Sequence, residues 1–139
     1  MTVRGFGARL QATGSVRGLF GWIVLLTLAT GLIHLYIGVD FLLEGPYADA
    51  VIDDPTARTA VGIVFIGMAI PYLVGLALIL GGVRPRLWLR VGAGYTALLL
   101  VLWAVAGTRD TLAYADKAIE IALLVLLVAL LRRPVESAV

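Results

Sequence analysis

The chain has 139 residues, 61% of them hydrophobic and only 14% charged, with a net charge of +2 and a mean hydropathy of +1.02. A soluble domain carries nearer a quarter charged residues, so that class is excluded. The absence of cysteine removes disulfides, thiolate metal sites and CxxC redox chemistry. A single histidine removes bis-His haem ligation within one chain.

The first 18 residues carry Arg4, Arg9 and Arg17 and no acid. They are read as a cytoplasmic amino-terminal segment, followed by a transmembrane domain over 19–131 and a cytoplasmic tail over 132–139. Phe6 and Leu10 lie one helical turn apart beside Arg4 and Arg9. That suits a short helix on anionic lipid. Four interrupting glycines suit a loose tail equally well.

Four apolar runs follow, at about Leu19–Phe41, Thr59–Gly81, Leu87–Ala106 and Thr111–Leu131. Each is near the ~20 residues that a helix needs to cross the hydrocarbon core. They are continuous rather than alternating, so they are not barrel strands. The first run is too long for the apolar region of a signal peptide. The expected fold is therefore an all-α transmembrane four-helix up-down bundle.

The loops set its orientation. Eight Arg fall in the amino-terminal segment, the second loop and the tail, while Arg58 and Arg109 fall in the first and third loops. The first loop also holds Glu44, Asp49, Asp53 and Asp54. The excess of positive charge belongs on the cytoplasmic side, which puts both termini in the cytoplasm. Gly45-Pro46 and Asp54-Pro55 read as turns in the first loop, with Thr56 or Pro55 opening the second helix.

The chemistry-bearing residues lie in the first and last spans. Asp116, Lys117 and Glu120 interrupt the last apolar run. A charge at mid-bilayer costs at least ~2.5–3.5 kcal/mol on insertion scales, so three demand partners. Asp116 and Glu120 are i,i+4 and share a face, and Lys117 and Glu120 are i,i+3 and can pair. Taking Asp40 and Tyr114 as the outer edges, His34 and Glu120 both lie ~9 Å deep, at ~1.5 Å per residue. Short loops make the first and last helices neighbours. A shared polar site of His34, Asp116, Lys117 and Glu120 is therefore expected, with Asp40 on the same helix leading to an acidic mouth. Snorkelling of Lys117 to the surface is the competing expectation.

The second span carries Gly67, Pro71 and Gly75, four apart on one face. Proline removes a backbone hydrogen bond, so a kink is expected at Pro71. The flanking glycines are expected to admit a close-packed helix, as are Gly31 and Gly38 in the first span.

His34-Leu-Tyr-Ile-Gly38-Val39 and Tyr114-Ala-Asp-Lys117 resemble a family of small four-span membrane proteins of halophilic archaea with no assigned function. The resemblance covers most of the chain. It implies the four-helix architecture and a shared polar site of His34, Asp116 and Lys117, and it brings no activity. The layout is similar in shape to the DoxX-like four-helix proteins.

The chain contains no phosphate loop, nucleophile elbow, HExxH or dinucleotide glycine pattern. No enzyme activity, cofactor, metal or nucleic acid is expected. Membrane lipids and a second copy of the chain are the expected partners, in the cell membrane. Two roles stay open: a homo-oligomer that passes protons, ions or a small solute, and an accessory or lipid/quinone-binding subunit of a larger respiratory complex.

Overall fold

The computed structural model describes residues 14–133, so the segment expected on the lipid surface before Leu19 lies almost wholly outside the described residues. Five helices follow in order: α1 (Gly14–Leu42), α2 (Pro46–Val51), α3 (Pro55–Leu80), α4 (Pro85–Ala106) and α5 (Thr111–Leu131). No strand occurs among the described residues. Three helices are long and apolar enough to cross a membrane, as an integral membrane protein requires: the Gly18–Leu42 part of α1, then α3 and α4. The 21 residues of α5 are long enough as well, but they carry Asp116, Lys117 and Glu120.

The helix ends follow local chemistry. Asp54 caps α3, its carboxylate accepting from Thr56 N and Ala57 N, and Pro55 takes the first helical position, where its missing N–H costs nothing. Asp110 caps α5 by accepting from Ala113 N. α1 stops where Glu44 turns left-handed, at a φ of 52°, and Gly45 N donates back to Asp40 O. α3 stops in the same way. Gly82 has a φ of 74° and Val83 N donates to Leu78 O. A left-handed residue after the last turn, with this backward bond, satisfies carbonyls that the helix leaves open.

The short α2 was not expected, since Gly45-Pro46 reads as a turn. It forms because Pro46 sits at its first position and Asp40 supplies the cap that Gly45 lacks. Asp40 Oδ2 accepts from Ala48 N at 2.8 Å.

α1 packs most extensively on α3 and also contacts α5, while α4 packs on α5 and α3. Two apolar clusters form between them. One joins Ile23, Tyr72, Ile79, Leu89, Leu99, Leu123 and Leu127. The other joins Ile37, Phe41 and Ala48, under Val61, Phe65 and Leu112. The outward faces are also apolar: Leu25, Val64, Val101, Ile121 and Val125 are each more than half exposed. A contiguous surface of that kind suits lipid rather than water.

The glycines divide differently from expectation. Among the described residues, a side chain at Gly67 or Gly75 would meet nothing within 4 Å, so no described helix packs closely there. The close crossing lies at Gly38 and Gly62. A Cβ on Gly38 would fall 2.6 Å from Ile66 Cγ1 and 2.9 Å from its backbone N. A Cβ on Gly62 would fall 2.9 Å from Gly38 O. The reason is geometric: Gly67 and Pro71 lie on an exposed face of α3, which at Pro71 and Gly75 borders an open cavity, whereas Gly62 lies on the face turned to α1. Pro71 does not interrupt α3, which runs unbroken to Leu80. Next to the carbonyl that the proline leaves without a donor, Met68 O accepts from the Tyr95 hydroxyl at 2.9 Å.

Gly62→Ala should therefore destabilise the protein in detergent by ~1–3 kcal/mol, the usual cost of overpacking. Gly67→Ala should be neutral or stabilising by up to ~1 kcal/mol, because alanine is the better helix former. Thermal unfolding of the two variants checks this pair of outcomes, and equal behaviour would contradict the crossing.

Candidate polar site within the helices

Helix α1 presents Thr27, Thr30 and His34 at intervals of three and four, one stripe on one face. Thr27 turns back onto its own helix, donating to Ile23 O at 2.7 Å. Thr30 and His34 point at α5. There the i,i+4 pair Asp116 and Glu120 faces α1, with Lys117 between them. All of these side chains are buried, Thr30 and Glu120 completely.

The contacts form a closed network. Lys117 Nζ donates to Glu120 Oε2 at 2.6 Å and lies 3.0 Å from Asp116 Oδ2. Thr30 Oγ1 donates to Asp116 Oδ1 at 2.8 Å. The Tyr72 hydroxyl donates to Glu120 Oε1 at 3.1 Å and lies 3.3 Å from Thr96 Oγ1. Both carboxylates are thus held at both oxygens.

His34 is fixed from behind. Its Nδ1 lies 2.9 Å from Thr30 O. A carbonyl only accepts, so Nδ1 carries the hydrogen and Nε2 is turned toward α5. Nε2 then sits 3.8 Å from Asp116 Oδ2 and 3.8 Å from Glu120 Oε1. That is longer than a hydrogen bond, which runs to about 3.2 Å. The ring is held between Phe65 and Tyr72, at centroid distances of 5.6 and 5.9 Å. The polar layer therefore lies between the two apolar clusters, touching Phe65 on one side and Tyr72 on the other.

The structure brings together His34, Asp116, Lys117 and Glu120. It does not bring Asp40 to them. Asp40 lies six residues, ~9 Å, further along α1, and its carboxylate is occupied at Ala48 N. An aspartate near a helix end competes for orphan backbone donors, and here that role removes it from any mouth. Lys117 does not snorkel, since its side chain is 9% exposed and its nitrogen is turned inward to two acids. Thr30, Tyr72 and Thr96 were not anticipated. The Thr27–Thr30–His34 stripe was the available signal on α1. Tyr72 and Thr96 are lone polar residues in apolar runs and gave none.

His34, Asp116 and Glu120 each offer one ligand atom, and these atoms lie within 4.8 Å of one another. This ligand set was not expected, since a single histidine speaks against most metal sites; two carboxylates beside it make up the set. Beneath the layer, a cavity of about 90 Å³ opens between α3 and α4, lined by Pro71, Gly75, Val91, Gly92 and Leu127, and reaching Tyr72 and Thr96.

A second polar corner closes the end of the bundle where the α1–α2 and α4–α5 connections lie. The Tyr47 hydroxyl donates to Asp110 Oδ2 at 2.8 Å. Trp103 Nε1 donates to Thr108 O at 2.9 Å, and the Arg109 guanidinium lies 4.2 Å from the Trp103 ring centroid. Burial, with the Asp110 hydrogen bond and charge, pushes the Tyr47 phenol from 10.0 up to about 12. Burial alone would raise Asp110. The hydrogen bonds it accepts from Ala113 N and Tyr47 outweigh that and hold it below the usual carboxylate range.

Comparison with protein families, curated proteins and solved structures gives no match.

Two outcomes follow from this geometry. Lys117→Met leaves two carboxylates facing each other, and breaking a buried pair costs ~3–5 kcal/mol. Thermal unfolding of Lys117→Met should show a loss of that order. The Tyr47–Asp110 corner has a defined pH window. Asp110 is lowered, so its share of stability is present above the unfolded carboxylate range and lost as pH falls through the lower folded value. Tyr47 is raised, so its share is present below pH 10 and lost as pH rises through about 12. Fluorescence of a variant keeping only Trp103 should be constant between these limits and shift beyond each.

Proposed function

We propose that the chain is a four-span, multi-pass protein of the cell membrane, a four-helix up-down bundle with both termini in the cytoplasm. It acts as a homo-oligomer and without enzymatic chemistry, handling a small cation at its intramembrane polar layer. The family resemblance of the His34–Val39 and Tyr114–Lys117 segments belongs to the same proposal.

The fourth span rests on where α5 puts its charges. Asp116, Lys117 and Glu120 are all buried against α1, while Ile121 and Val125 face outward. The helix can thus stand in lipid with its charges turned inward. The arginine bias of the loops sets its direction.

The observation that carries the functional reading is the composition of the layer. An apolar filling would be at least as stable as a buried ionic network, often by 1–4 kcal/mol. Holding His34, Asp116, Lys117 and Glu120 inside the spans therefore argues for use, and ionisable groups there commonly mark ion paths. One protomer has little room for a wet path, so the homo-oligomer supplies it.

A second reading has its own observation. The cavity beside α3 and α4 is almost wholly apolar and counts Tyr72 and Thr96 in its lining, which suits the head of a lipid or quinone held by an accessory subunit of a larger complex. Co-purification with redox subunits from native membrane supports that role. A stable symmetric homo-oligomer supports the first.

Two experiments test the main proposal. Cysteine at position 53 should react with an impermeant reagent from outside, and cysteine at position 86 only from inside. The reverse would overturn the orientation. Protein in liposomes loaded with indicators for protons and divalent ions should pass a cation down its gradient. Glu120→Gln should abolish that flux with the helical circular dichroism intact. An unchanged flux in this variant, or none in the unaltered protein, would leave the layer a purely structural device.

A further inference from the structure

We propose that His34 Nε2, Asp116 Oδ2 and Glu120 Oε1 form a binding site for one divalent transition-metal ion, for which Lys117 is the built-in competitor. The inference rests on the reading of the layer as a cation site, and it names the ion class.

Spacing is the first argument. The 3.8 Å separations from Nε2 to both carboxylate oxygens are too long for hydrogen bonds. They match two ligands that share an ion. Ligand atoms ~2.0–2.2 Å from a metal, at tetrahedral to trigonal angles, stand ~3.3–3.8 Å apart. One ligand atom from each of the three residues lies within 4.8 Å of the others, so a small inward shift of the carboxylates lets one ion reach them all.

The second argument is the support behind each ligand. A metal-bound imidazole usually donates its other N–H to a carbonyl, which fixes ring and tautomer. His34 has that partner in Thr30 O, at 2.9 Å. Asp116 is steered by Thr30 Oγ1 at 2.8 Å, and Glu120 by the Tyr72 hydroxyl at 3.1 Å. The oxygens nearest Nε2 each keep lone-pair capacity beyond the one contact that holds them. Imidazole with two carboxylates is a donor set for Mn²⁺, Fe²⁺, Co²⁺ or Zn²⁺, and three protein ligands leave coordination positions open.

The third argument is charge. Two carboxylates balance one divalent ion, but Lys117 Nζ already lies 2.6 Å from Glu120 Oε2 and 3.0 Å from Asp116 Oδ2. Ammonium and metal cannot both be neutralised by the same pair. The ion enters when the lysine withdraws, and its flexible four-carbon stem allows this toward the near interface. Lys117 then holds the site together in the absence of metal and sets a threshold for loading.

The test uses full-length protein in detergent, freed of metal by chelation and titrated with Co²⁺ and with Mn²⁺. Visible absorption bands of bound Co²⁺ and the paramagnetic resonance of Mn²⁺ should report one ion per chain. Glu120→Gln and His34→Gln should each weaken binding at least tenfold. Thr30→Val, which removes the hydroxyl that holds Asp116 and lies 3.4 Å from His34 Nδ1, should weaken it ~10-fold. Lys117→Met should bind at least tenfold more tightly, and added metal should restore the thermal stability that this variant loses. No stoichiometric binding to the unaltered protein, or binding insensitive to His34→Gln, would overturn the site. Binding without flux in liposomes would uphold the site and overturn transport. Proton flux without metal binding would do the reverse.

Discussion

The pairing of Lys117 with Asp116 and Glu120 is the interaction on which the rest of this structure depends. Two acids one turn apart on an apolar helix repel each other where little solvent screens them. An ammonium between them converts that repulsion into a clamp, with contacts of 3.0 and 2.6 Å. In the absence of another cation, this clamp is what lets α5 present both acids to Thr30 and His34 of α1. The same clamp lets α5 keep an apolar outer surface, because every charge it carries is spent inward.

Two helices hold that layer in register. The Gly38–Gly62 crossing brings the backbones of α1 and α3 together one turn beyond His34, toward α2. Phe65 and Tyr72 then close over the imidazole from α3. Tyr72 continues the network through Thr96 into α4. The polar layer thus touches α1, α3, α4 and α5, with an apolar cluster on either side. A layer so placed serves as register for the helices as well as a site.

Much of this was legible in the sequence. The run lengths gave the long helices, and α5 begins and ends where its apolar run does. The approach of His34 to Glu120 followed from their matched positions along the two helices, and the helix adjacency from short loops. What was not legible depends on rotation and on backbone contacts. Gly67, Pro71 and Gly75 share a face by spacing, but spacing does not say which way that face turns. Gly62 gives no signal at all until α1 is placed beside it. Asp40 has the composition of a site residue, yet a nearby helix start claimed it. A lone Tyr72 or Thr96 in an apolar run reads as packing until another helix brings it an acid.

The layer is open to direct measurement because the chain contains one histidine and one lysine. Labelling lysine with ¹⁵N and the acidic side chains with ¹³C therefore isolates Lys117 in a lipid-embedded sample. Solid-state dipolar recoupling should show strong coupling of its ammonium nitrogen to carboxylate carbons and none to lipid ³¹P. Coupling to phosphorus without coupling to carboxylates would mean that the lysine reaches the headgroups, and the clamp at the centre of this account would not exist.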